Sequence, residues 1–201
     1  MKALVLLSGG LDSTVALAQS LHRGHDCRAL TYEYGQVHAT REIEAARSVA
    51  EHYGVPHEVL EFPAGLLGAS ALTGDGDLPD FTGGPDASVV PGRNLLMLAI
   101  GASRADATGD RMLVFGANSD DAAGYADCRR EFVRPMRDAV HAGTTGNVWL
   151  HVPFLDIAKA EVVRIGRLLD APIDATWSCY RGGERPCGSC GACVTRGRAG
   201  A

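Results

Sequence analysis

Three features are scarce in this sequence of 201 residues. Aromatic residues make up only 6% of it, basic residues (19) are outnumbered by acidic ones (24), and no apolar run reaches the roughly 18 residues that span a bilayer. The core must therefore rely on aliphatic side chains, and the net charge of −5 argues against a broad nucleic-acid-binding face. What is present, 46% apolar and 21% charged residues, is typical of one globular domain with a small appendage.

The first residues begin like a secretion signal, with a basic residue followed by an apolar run, but the run is too short. The apolar run after Lys2 is about five residues long and ends at Ser8 with no small-residue cleavage site. We therefore expect a cytoplasmic protein. Four of the six cysteines lie within the last 23 residues, and in a reducing compartment such a cluster indicates a metal site rather than disulfides.

Short apolar strands alternate with helical patterns along the chain. The pattern predicts helices over 12–22, 40–53, 94–107, 130–142 and 158–169, with Asn94 as an N-cap, and strands over 3–7, 26–32, 57–62, 111–115 and 148–152. This order predicts an α/β fold, a Rossmann-like, doubly wound, mostly parallel sheet with its ligand at the carboxyl ends of the strands. Residues 1–170 would form this nucleotide-binding domain, with a long flexible loop near 65–92, and residues 171–201 a Cys-rich tail.

A Gly-rich turn follows the first predicted strand. Residues 8–14 read Ser-Gly-Gly-Leu-Asp-Ser-Thr and lead into the first helix. A helix N-terminus attracts anions, Gly9 and Gly10 leave room for one, and the three hydroxyl side chains can donate to it. The alternative is a plain strand–turn–helix connection capped by Ser and Asp, and the two glycines alone favour neither. The other phosphate signatures, G-x-x-x-x-G-K-S/T and G-x-G-x-x-G, do not occur in the sequence.

The same string resembles the pyrophosphate-loop motif S-G-G-x-D-S of the ATP pyrophosphatase family. It matches that motif at Ser8, Gly9, Gly10, Asp12 and Ser13. The resemblance implies an enzyme that adenylates a carboxylate or an amide-like oxygen with ATP, releases pyrophosphate and uses magnesium. It also implies that the phosphates of ATP lie at this turn.

The tail has the cysteine spacing C-x7-C-x2-C-x2-C, formed by Cys179, Cys187, Cys190 and Cys193. A C-x2-C pair with an intervening glycine folds into a tight turn that directs two thiolates at one point, and four thiolates suit a tetrahedral, structural zinc ion. An iron–sulfur cluster is the alternative, because it also uses clustered cysteines at such spacings. The remaining two, Cys27 and Cys128, are expected to be buried thiols.

Further stretches of the chain match one family in that family's order. They are Tyr34-Gly35-Gln36-Val37-His38, Val90-Pro91-Gly92-Arg93-Asn94, the segment 116–129, Lys159, and Thr176-Trp177-Ser178-Cys179-Tyr180 followed by Pro186-Cys187-Gly188. Together with the turn at residues 8–13, they make the chain resemble the 7-cyano-7-deazaguanine synthase family, the nitrile-forming ligases of the queuosine pathway. The matches are spread over nearly the whole chain.

This second resemblance implies an adenine nucleotide alpha hydrolase-like fold and an ATP-dependent carbon–nitrogen ligase. The substrates would be 7-carboxy-7-deazaguanine and ammonia, the intermediates an adenylate and an amide, and the product 7-cyano-7-deazaguanine with release of AMP. It further implies a homodimer, while the net charge and the short apolar runs argue against nucleic acid and a membrane as partners.

The candidate site residues form three groups besides the four cysteines. Those expected to act in catalysis are Ser8, Asp12, Ser13, Arg93 and Lys159. Those expected to bind ATP are Leu7, Ser8, Gly9, Gly10, Leu11, Asp12, Ser13, Thr14, Val15, Ala16, Leu17, Tyr34, Gln36 and His38. Those expected to bind the substrate are Arg93, Asn94, Asn118, Asp120, Tyr125, Asp127 and Arg129. Lys159 would neutralise phosphate charge, Arg93 would hold a phosphate or the substrate carboxylate, and Asp127 would recognise the deazaguanine edge.

Some of these residues also have structural interpretations. His38 is as consistent with a helix start as with a ligand contact, and the acidic stretch 120–127 is also typical of a solvated loop, which leaves Asp121 open. Trp177 would either stack on a flat base or pack over the metal.

Three other functions remain open at this stage. One is an adenylating enzyme that stops at the amide or acts on another deazapurine. Another is a tRNA-modifying ATP pyrophosphatase, which the net charge opposes. The third is a catalytically inactive zinc-binding adaptor, which the intact turn at residues 8–13 opposes.

Overall fold

The computed structural model describes residues 1–63, 65–74, 76–82 and 87–201. In this part of the chain the strands are β1 (Lys2–Leu6), β2 (Asp26–Glu33), β3 (His57–Glu61), β4 (Met112–Val114) and β5 (Trp149–His151). The α-helices are α1 (Leu11–His22), α2 (Ala39–Tyr53), α3 (Arg93–Thr108), α4 (Asp121–Gly124), α5 (Arg130–Gly143), α6 (Lys159–Leu168) and α7 (Gly191–Arg198). Each strand and helix predicted from the sequence is present, with its ends within one residue of the expected position.

The five strands form one parallel sheet in the order β3-β2-β1-β4-β5. The central strand β1 pairs with β2 on one side and with β4 on the other, so the chain changes direction across the sheet at the β1–β4 junction. Ligands of open parallel sheets bind at this junction, outside the carboxyl ends of the strands. The turn at residues 8–14 follows β1 and therefore lies at that position.

Alternate residues of β1 belong to two different cores. Leu4 and Leu6 pack in a cluster with residues of α3 and α5, whereas Ala3 and Val5 pack in a cluster with residues of α1, α2 and α6. A strand that is buried on both faces needs an unbroken apolar run, which explains the pattern at the start of the chain. The doubly wound fold predicted from the sequence is therefore confirmed.

The Cys-rich tail contains a helix that sequence analysis missed, α7. Its composition hides it, because Gly191 and Gly197 are poor helix formers. Arg196 on this helix donates hydrogen bonds to the carbonyl oxygens of Ile173 (2.9 Å) and Thr176 (3.2 Å). These bonds attach α7 to the segment that precedes the cysteines.

The predicted flexible loop near 65–92 is described only in part, because residues 75 and 83–86 lie outside the described residues. Within the rest, a short 3-10 turn spans Ala71–Thr73 and is capped by the Ser70 hydroxyl, which accepts from the Leu72 backbone N–H at 3.2 Å. Leu72 is fully buried in the α3 and α5 core. No helix among the described residues has the length and apolarity to cross a membrane.

The α3 and α5 core can be tested with two leucines of one helix. Leu98 is 0% exposed and Leu95 is 51% exposed. We expect Leu98→Ala to lower the free energy of unfolding by about 2–5 kcal/mol, because it leaves a cavity, and Leu95→Ala to change it by about 0.5 kcal/mol or less. Chemical denaturation followed by circular dichroism measures both values, and equal effects of the two substitutions would contradict the assigned core.

Candidate active site

The turn at residues 8–13 is held tightly against helix α2. Gly9 has a φ of +76°, and a Cβ atom there would lie 2.4 Å from the Glu42 carbonyl oxygen and 2.8 Å from the Ala46 backbone nitrogen. Gly9 is therefore required by helix packing and by its backbone conformation. Sequence analysis expected glycine here to leave room for an anion, and the structure adds this second reason.

The hydroxyl groups of the turn bond to each other. The Ser8 and Ser13 Oγ atoms lie 3.1 Å apart, Ser13 Oγ accepts from the Ser8 backbone N–H (3.2 Å), and Gly10 N–H donates to Ser8 Oγ (3.3 Å). On the other side, the chain leaving β4 touches the first turn of α1, since a Cβ atom at Gly116 would lie 2.9 Å from the Ser13 backbone nitrogen. The N-terminus of α1 is thus fixed from two directions.

A largely buried ion pair joins α6 to this first turn. Lys159 Nζ lies 2.6 Å from Asp12 Oδ2, and the two side chains are 12% and 19% exposed. Burial lowers the pKa of Lys159, but the charges of Asp12 and Asp121 outweigh it, so its pKa is raised and the side chain is a cation at neutral pH. The other oxygen, Asp12 Oδ1, is buried and has no hydrogen-bond partner among the described residues.

Asp121 is a third charged group at the same place. Its Oδ2 accepts a hydrogen bond from the Asn118 backbone N–H at 3.2 Å, and its side chain lines the same cleft as Asp12 and Lys159. Burial, and then the charge of Asp12, raise the pKa of Asp121 from 3.8 to about 6. Sequence analysis left this residue open, because nothing in an acidic loop distinguishes the one carboxylate that faces inward.

A second cation, Arg93, enters the cleft from the start of α3. Its Nη1 donates to the Tyr34 hydroxyl at 3.1 Å, and its guanidinium lies 6.0 Å from the centre of the Tyr34 ring. Burial lowers the pKa of Arg93, but contact with Tyr34 and the nearby Tyr180 raise it overall, so it stays charged. In the described part of the chain no carboxylate forms an ion pair with Arg93. An inward-facing cation without a counter-charge indicates an anion site.

The tail supplies one wall of the cleft. The Trp177 backbone N–H donates to the Gly9 carbonyl oxygen at 2.9 Å, and Tyr180 bonds through its hydroxyl to that of Tyr125 at 3.2 Å. The Trp177 indole nitrogen donates to the Cys179 carbonyl oxygen at 2.8 Å, while its ring lies 5.7 Å from the Arg41 guanidinium carbon. The tail is therefore connected to the turn after β1 and borders the same space.

These groups enclose a cleft of about 230 Å³ at the carboxyl ends of β1, β2 and β4. Among the predicted residues it is lined by Leu7, Ser8, Gly10, Leu11, Asp12, Ser13, Tyr34, Arg93, Asn94, Tyr125 and Lys159. Residues that sequence analysis did not assign also line it, among them Glu42, Asp121, Trp177, Ser178 and Tyr180. No local motif marks Glu42, since it reaches the cleft only because α2 packs on Gly9.

Several predicted ATP-binding residues lie behind the cleft lining. Thr14, Val15, Ala16 and Leu17 are buried on α1, where the last three belong to the α2 and α6 core. Gln36 and His38 are also buried and contact Glu42. Their part in binding ATP remains a prediction.

Four residues that were expected to bind the substrate make hydrogen bonds that hold loops together. Asp127 Oδ2 accepts from the Asn94 backbone N–H (2.9 Å), Asp120 Oδ2 from the Lys159 N–H (3.0 Å), and Asn118 Oδ1 from the Asp120 N–H (2.9 Å). Arg129 Nε donates to the Ala122 carbonyl oxygen at 3.0 Å. None of these four side chains lines the cleft described above. Their binding roles remain predictions.

The prediction of Asn94 as the N-cap of α3 is wrong. The helix begins at Arg93, and Gly92 occupies the cap position without a side-chain hydrogen bond. The carboxylate that satisfies the first turn comes from Asp127, 33 residues further along the chain, and sequence patterns contain no signal for a cap at that separation. The Asn94 side chain instead points to Cys128, donating to its Sγ at 3.4 Å.

The four tail cysteines converge at one point. The Sγ atoms of Cys179, Cys187, Cys190 and Cys193 all lie within 4.8 Å of one another, and the backbone N–H groups of Cys187 and Cys190 donate to sulfur at 3.3 Å. A tetrahedron with 2.3 Å metal–sulfur bonds has edges of about 3.8 Å, so this cluster is compatible with one metal ion. Cys27 and Cys128 are buried as expected, and burial raises the pKa of Cys128, which keeps it a thiol.

Comparison with known proteins identifies relatives along nearly the whole chain. The family model described as "Queuosine biosynthesis protein QueC" matches residues 2–200. A 7-cyano-7-deazaguanine synthase from Archaeoglobus fulgidus is 40% identical over 205 residues, which cover 98% of this chain and 84% of that protein. The enzyme of the same name from Ruegeria sp. is 41% identical over 204 residues, covering 98% of this chain and 87% of the relative.

Solved structures share the fold at lower identity. The U34-tRNA thiolase NcsA from Methanococcus maripaludis, solved with its 4Fe-4S cluster, has a TM-score of 0.57 and 18% identity. The similarity covers 86% of this chain and 58% of that chain. A 4-thiouridine synthetase in complex with RNA and ATP has a TM-score of 0.50 and 19% identity, over 99% of this chain and 49% of that one. At these identities the likeness bears on the fold alone, and it agrees with the α/β class.

The raised pKa of Asp121 predicts a pH-dependent cost in stability. Between its ordinary pKa of 3.8 and the value of about 6, the folded chain binds more protons at this carboxyl than the unfolded chain. Wild-type stability therefore falls as the pH rises through this window, and Asp121→Asn removes that fall. In buffer without nucleotide or Mg²⁺, the free energy of unfolding of the variant, taken relative to wild type, should rise by about 2 kcal/mol between pH 4 and pH 7.

Denaturation at both pH values measures this gain, with Asp138→Asn as the control because Asp138 is exposed on α5. A difference between Asp121→Asn and wild type that does not change with pH would contradict the raised pKa.

Proposed function

The chain belongs to the family of the queuosine biosynthesis protein QueC, and we propose from this membership and from the cleft how it acts. It is an ATP-dependent ligase of the 7-cyano-7-deazaguanine synthase type. The substrates we propose are 7-carboxy-7-deazaguanine and ammonia. The observation that carries the proposal is the meeting of the anion-binding turn at residues 8–13, Lys159 and Arg93 in one cleft.

The reaction needs two adenylations. A carboxylate by itself has no adequate leaving group, so it must first be activated. One of its oxygens attacks the α-phosphorus of ATP, and pyrophosphate leaves. Ammonia attacks the activated carbon, AMP leaves and one proton is lost, which gives the amide. The amide oxygen then attacks the α-phosphorus of a second ATP and a second pyrophosphate leaves. Loss of AMP, and of both protons from the nitrogen, then gives the nitrile.

The turn after β1 would bind the departing pyrophosphate. The N-terminus of α1 carries the positive end of the helix dipole, and Lys159 adds a full charge beside it. Asp12 holds Lys159 in place through the 2.6 Å ion pair. In this arrangement the α-phosphorus would face the remaining space of the cleft, which Arg93 also lines.

We propose Mg²⁺ as the accompanying cation. The buried, unpartnered Asp12 Oδ1 fits it, since carboxylate oxygens are its usual protein ligands. When bound, the ion would neutralise phosphate charge.

We propose that Arg93 binds the substrate carboxylate. Its guanidinium has Tyr34 as its partner and no counter-charge among the described residues, and a carboxylate or phosphate would supply one. The apolar floor of the cleft, which includes Leu6, Leu30 and Leu98, suits a flat ring.

For the tail we propose a structural zinc ion on Cys179, Cys187, Cys190 and Cys193. Four thiolates form a closed ligand shell, which leaves no open position for catalysis. Its function would be to hold Trp177 and Tyr180 at the cleft. Residues 1–170 and 171–201 would accordingly act as a nucleotide-binding domain and its metal-ordered wall.

We also propose a cytoplasmic homodimer that uses ammonia. Cysteines clustered as metal ligands, rather than spread as a disulfide framework, are typical of a reducing compartment. The homodimer is carried over from the family resemblance, and sedimentation of the metal-loaded protein determines it.

The proposed reaction is tested by incubating the protein with 7-carboxy-7-deazaguanine, ammonium, ATP and Mg²⁺. We expect 7-cyano-7-deazaguanine with about two AMP per nitrile. Lys159→Gln should lower kcat/KM by about 10²-fold or more, because the negative charge of the phosphates then lacks the lysine cation. The matched control is Arg164→Gln on the exposed face of the same helix, which should behave as wild type. An amide that persists with excess ATP would contradict the nitrile product.

The zinc proposal is tested by elemental analysis of the purified chain. Wild type should contain about one zinc per chain, and Cys190→Ser should lose most of it, since three thiolates close the shell poorly. Cys27→Ala changes a buried cysteine away from the cluster and should keep the metal. Iron together with visible absorbance in wild type would instead indicate an iron–sulfur cluster.

A further inference from the structure

Glu42 is a charged side chain in the cleft for which the proposed reaction has no use so far. It lies in the first turn of α2, its side chain is 17% exposed, and it lines the cleft. Among the described residues no lysine or arginine forms an ion pair with it. A carboxylate that faces a binding cleft in this state is available to hydrogen-bond donors of a ligand.

The position of Glu42 is fixed by its neighbours. Gln36 Oε1 accepts from the Tyr34 backbone N–H (2.9 Å), so the amide nitrogen of Gln36 must face the other way, and it donates to Glu42 Oε2 at 3.1 Å and to the Tyr32 carbonyl oxygen at 3.2 Å. His38 Nε2 lies 3.5 Å from Glu42 Oε1. These contacts hold the carboxylate in one orientation without neutralising it by a lysine or arginine.

The backbone of Glu42 is equally restricted. Its carbonyl oxygen is the atom that lies 2.4 Å from where a Cβ of Gly9 would be. Helix α2 therefore cannot move toward the phosphate-binding turn, and the Glu42 side chain keeps a constant place relative to it. Such preorganisation is what a recognition residue requires.

Opposite charges lie near one tyrosine of the cleft lining. The Tyr34 hydroxyl accepts from Arg93 at 3.1 Å, and all three side chains line the cleft. Burial raises the pKa of Tyr34, the charge of Arg93 opposes that rise, and the charge of Glu42 adds to it, so the phenol is within range of both charges. A ligand with an anionic group at one end and N–H donors at the other matches this arrangement.

The proposed substrate has this polarity. 7-Carboxy-7-deazaguanine carries its carboxylate on the five-membered ring and the adjacent N1–H and 2-amino donors on the far edge of the six-membered ring. Two neighbouring N–H groups match the two oxygens of one carboxylate in a charge-assisted pair. Adenine offers a donor beside an acceptor at its corresponding edge, so the same carboxylate disfavours the base of ATP there.

The other carboxylates of the region are committed elsewhere. Asp12 is paired with Lys159, and Asp121 lies beside the same lysine and accepts from Asn118. Asp127, which sequence analysis assigned to the deazaguanine edge, accepts from the first turn of α3 and does not line the cleft. Glu42 is the remaining carboxylate of the described cleft lining.

We propose that Glu42 is the residue that recognises the deazaguanine ring, accepting hydrogen bonds from its N1–H and 2-amino groups while Arg93 holds the carboxylate at the other end. Gln36 is its positioning residue. This inference rests on the proposed function, because it names the part of that substrate which the same cleft reads.

The test compares 7-carboxy-7-deazaguanine with its analogue that lacks the 2-amino group. Wild type should prefer the amino compound by about 10²-fold or more in kcat/KM, because the analogue leaves a buried acceptor unpaired. In Glu42→Gln that preference should fall to about threefold, with the KM for 7-carboxy-7-deazaguanine raised about tenfold or more and the KM for ATP unchanged. Glu44→Gln, two residues along the same helix and 56% exposed, should match wild type in all three values.

Other outcomes would overturn the inference. A raised KM for ATP with an unchanged preference for the 2-amino group would show that Glu42 holds the ATP ribose instead. Glu42→Asp keeps the charge but shortens the reach, and it should keep part of the preference. If Glu42→Gln does not fold, as judged by circular dichroism, the preference for the 2-amino group is measured with Glu42→Asp instead.

The inference can fail separately from the proposed function. If wild type consumes no ATP and makes no nitrile, the proposed reaction is wrong. Calorimetric titration of wild type and Glu42→Asp with the two ring compounds then still measures whether the 2-amino group contributes to binding. Equal affinity of wild type for both compounds would overturn the role of Glu42.

Discussion

The 2.6 Å ion pair between Lys159 and Asp12 joins residues 147 positions apart and holds the ligand-binding edge of the sheet together. It connects the first turn of α1 to the first turn of α6, on either side of the point where the strand order reverses. Because both side chains are largely buried, the pair is screened little by solvent. The position of the turn at residues 8–13 relative to α6, and the balance of charge around Asp121, both depend on it.

The cleft is assembled from parts of the chain that differ in how they are held. The turn after β1 and the start of α3 are supported by the two apolar cores, whereas the wall at Trp177 and Tyr180 belongs to a segment with little core of its own. That segment depends on four cysteines and on hydrogen bonds such as those of Arg196. Two kinds of stabilisation therefore meet at one ligand site.

The local elements of this fold can be predicted from the sequence, and the contacts between them cannot. The apolar runs of β1 and β2 and the Gly-rich turn are local signals, because buried parallel strands and helix N-termini need particular residues at adjacent positions. Asp127 caps a helix that begins at Arg93, and Glu42 reaches the cleft through the contact of α2 with Gly9. Both placements are set by packing between segments, so single-sequence patterns assign Asp127 to the deazaguanine edge and give Glu42 no role.

The hydrogen bond from Trp177 N–H to the Gly9 carbonyl oxygen has a consequence for the order in which the protein is made. During synthesis, the partner of the turn follows only after 167 further residues (residues 10–176) have been joined. Until then, the turn lacks a contact that it has in the complete cleft. Completion of the cleft therefore waits for the tail. With the proposed metal on the four cysteines, the cellular supply of that metal would determine when the wall of the cleft becomes ordered.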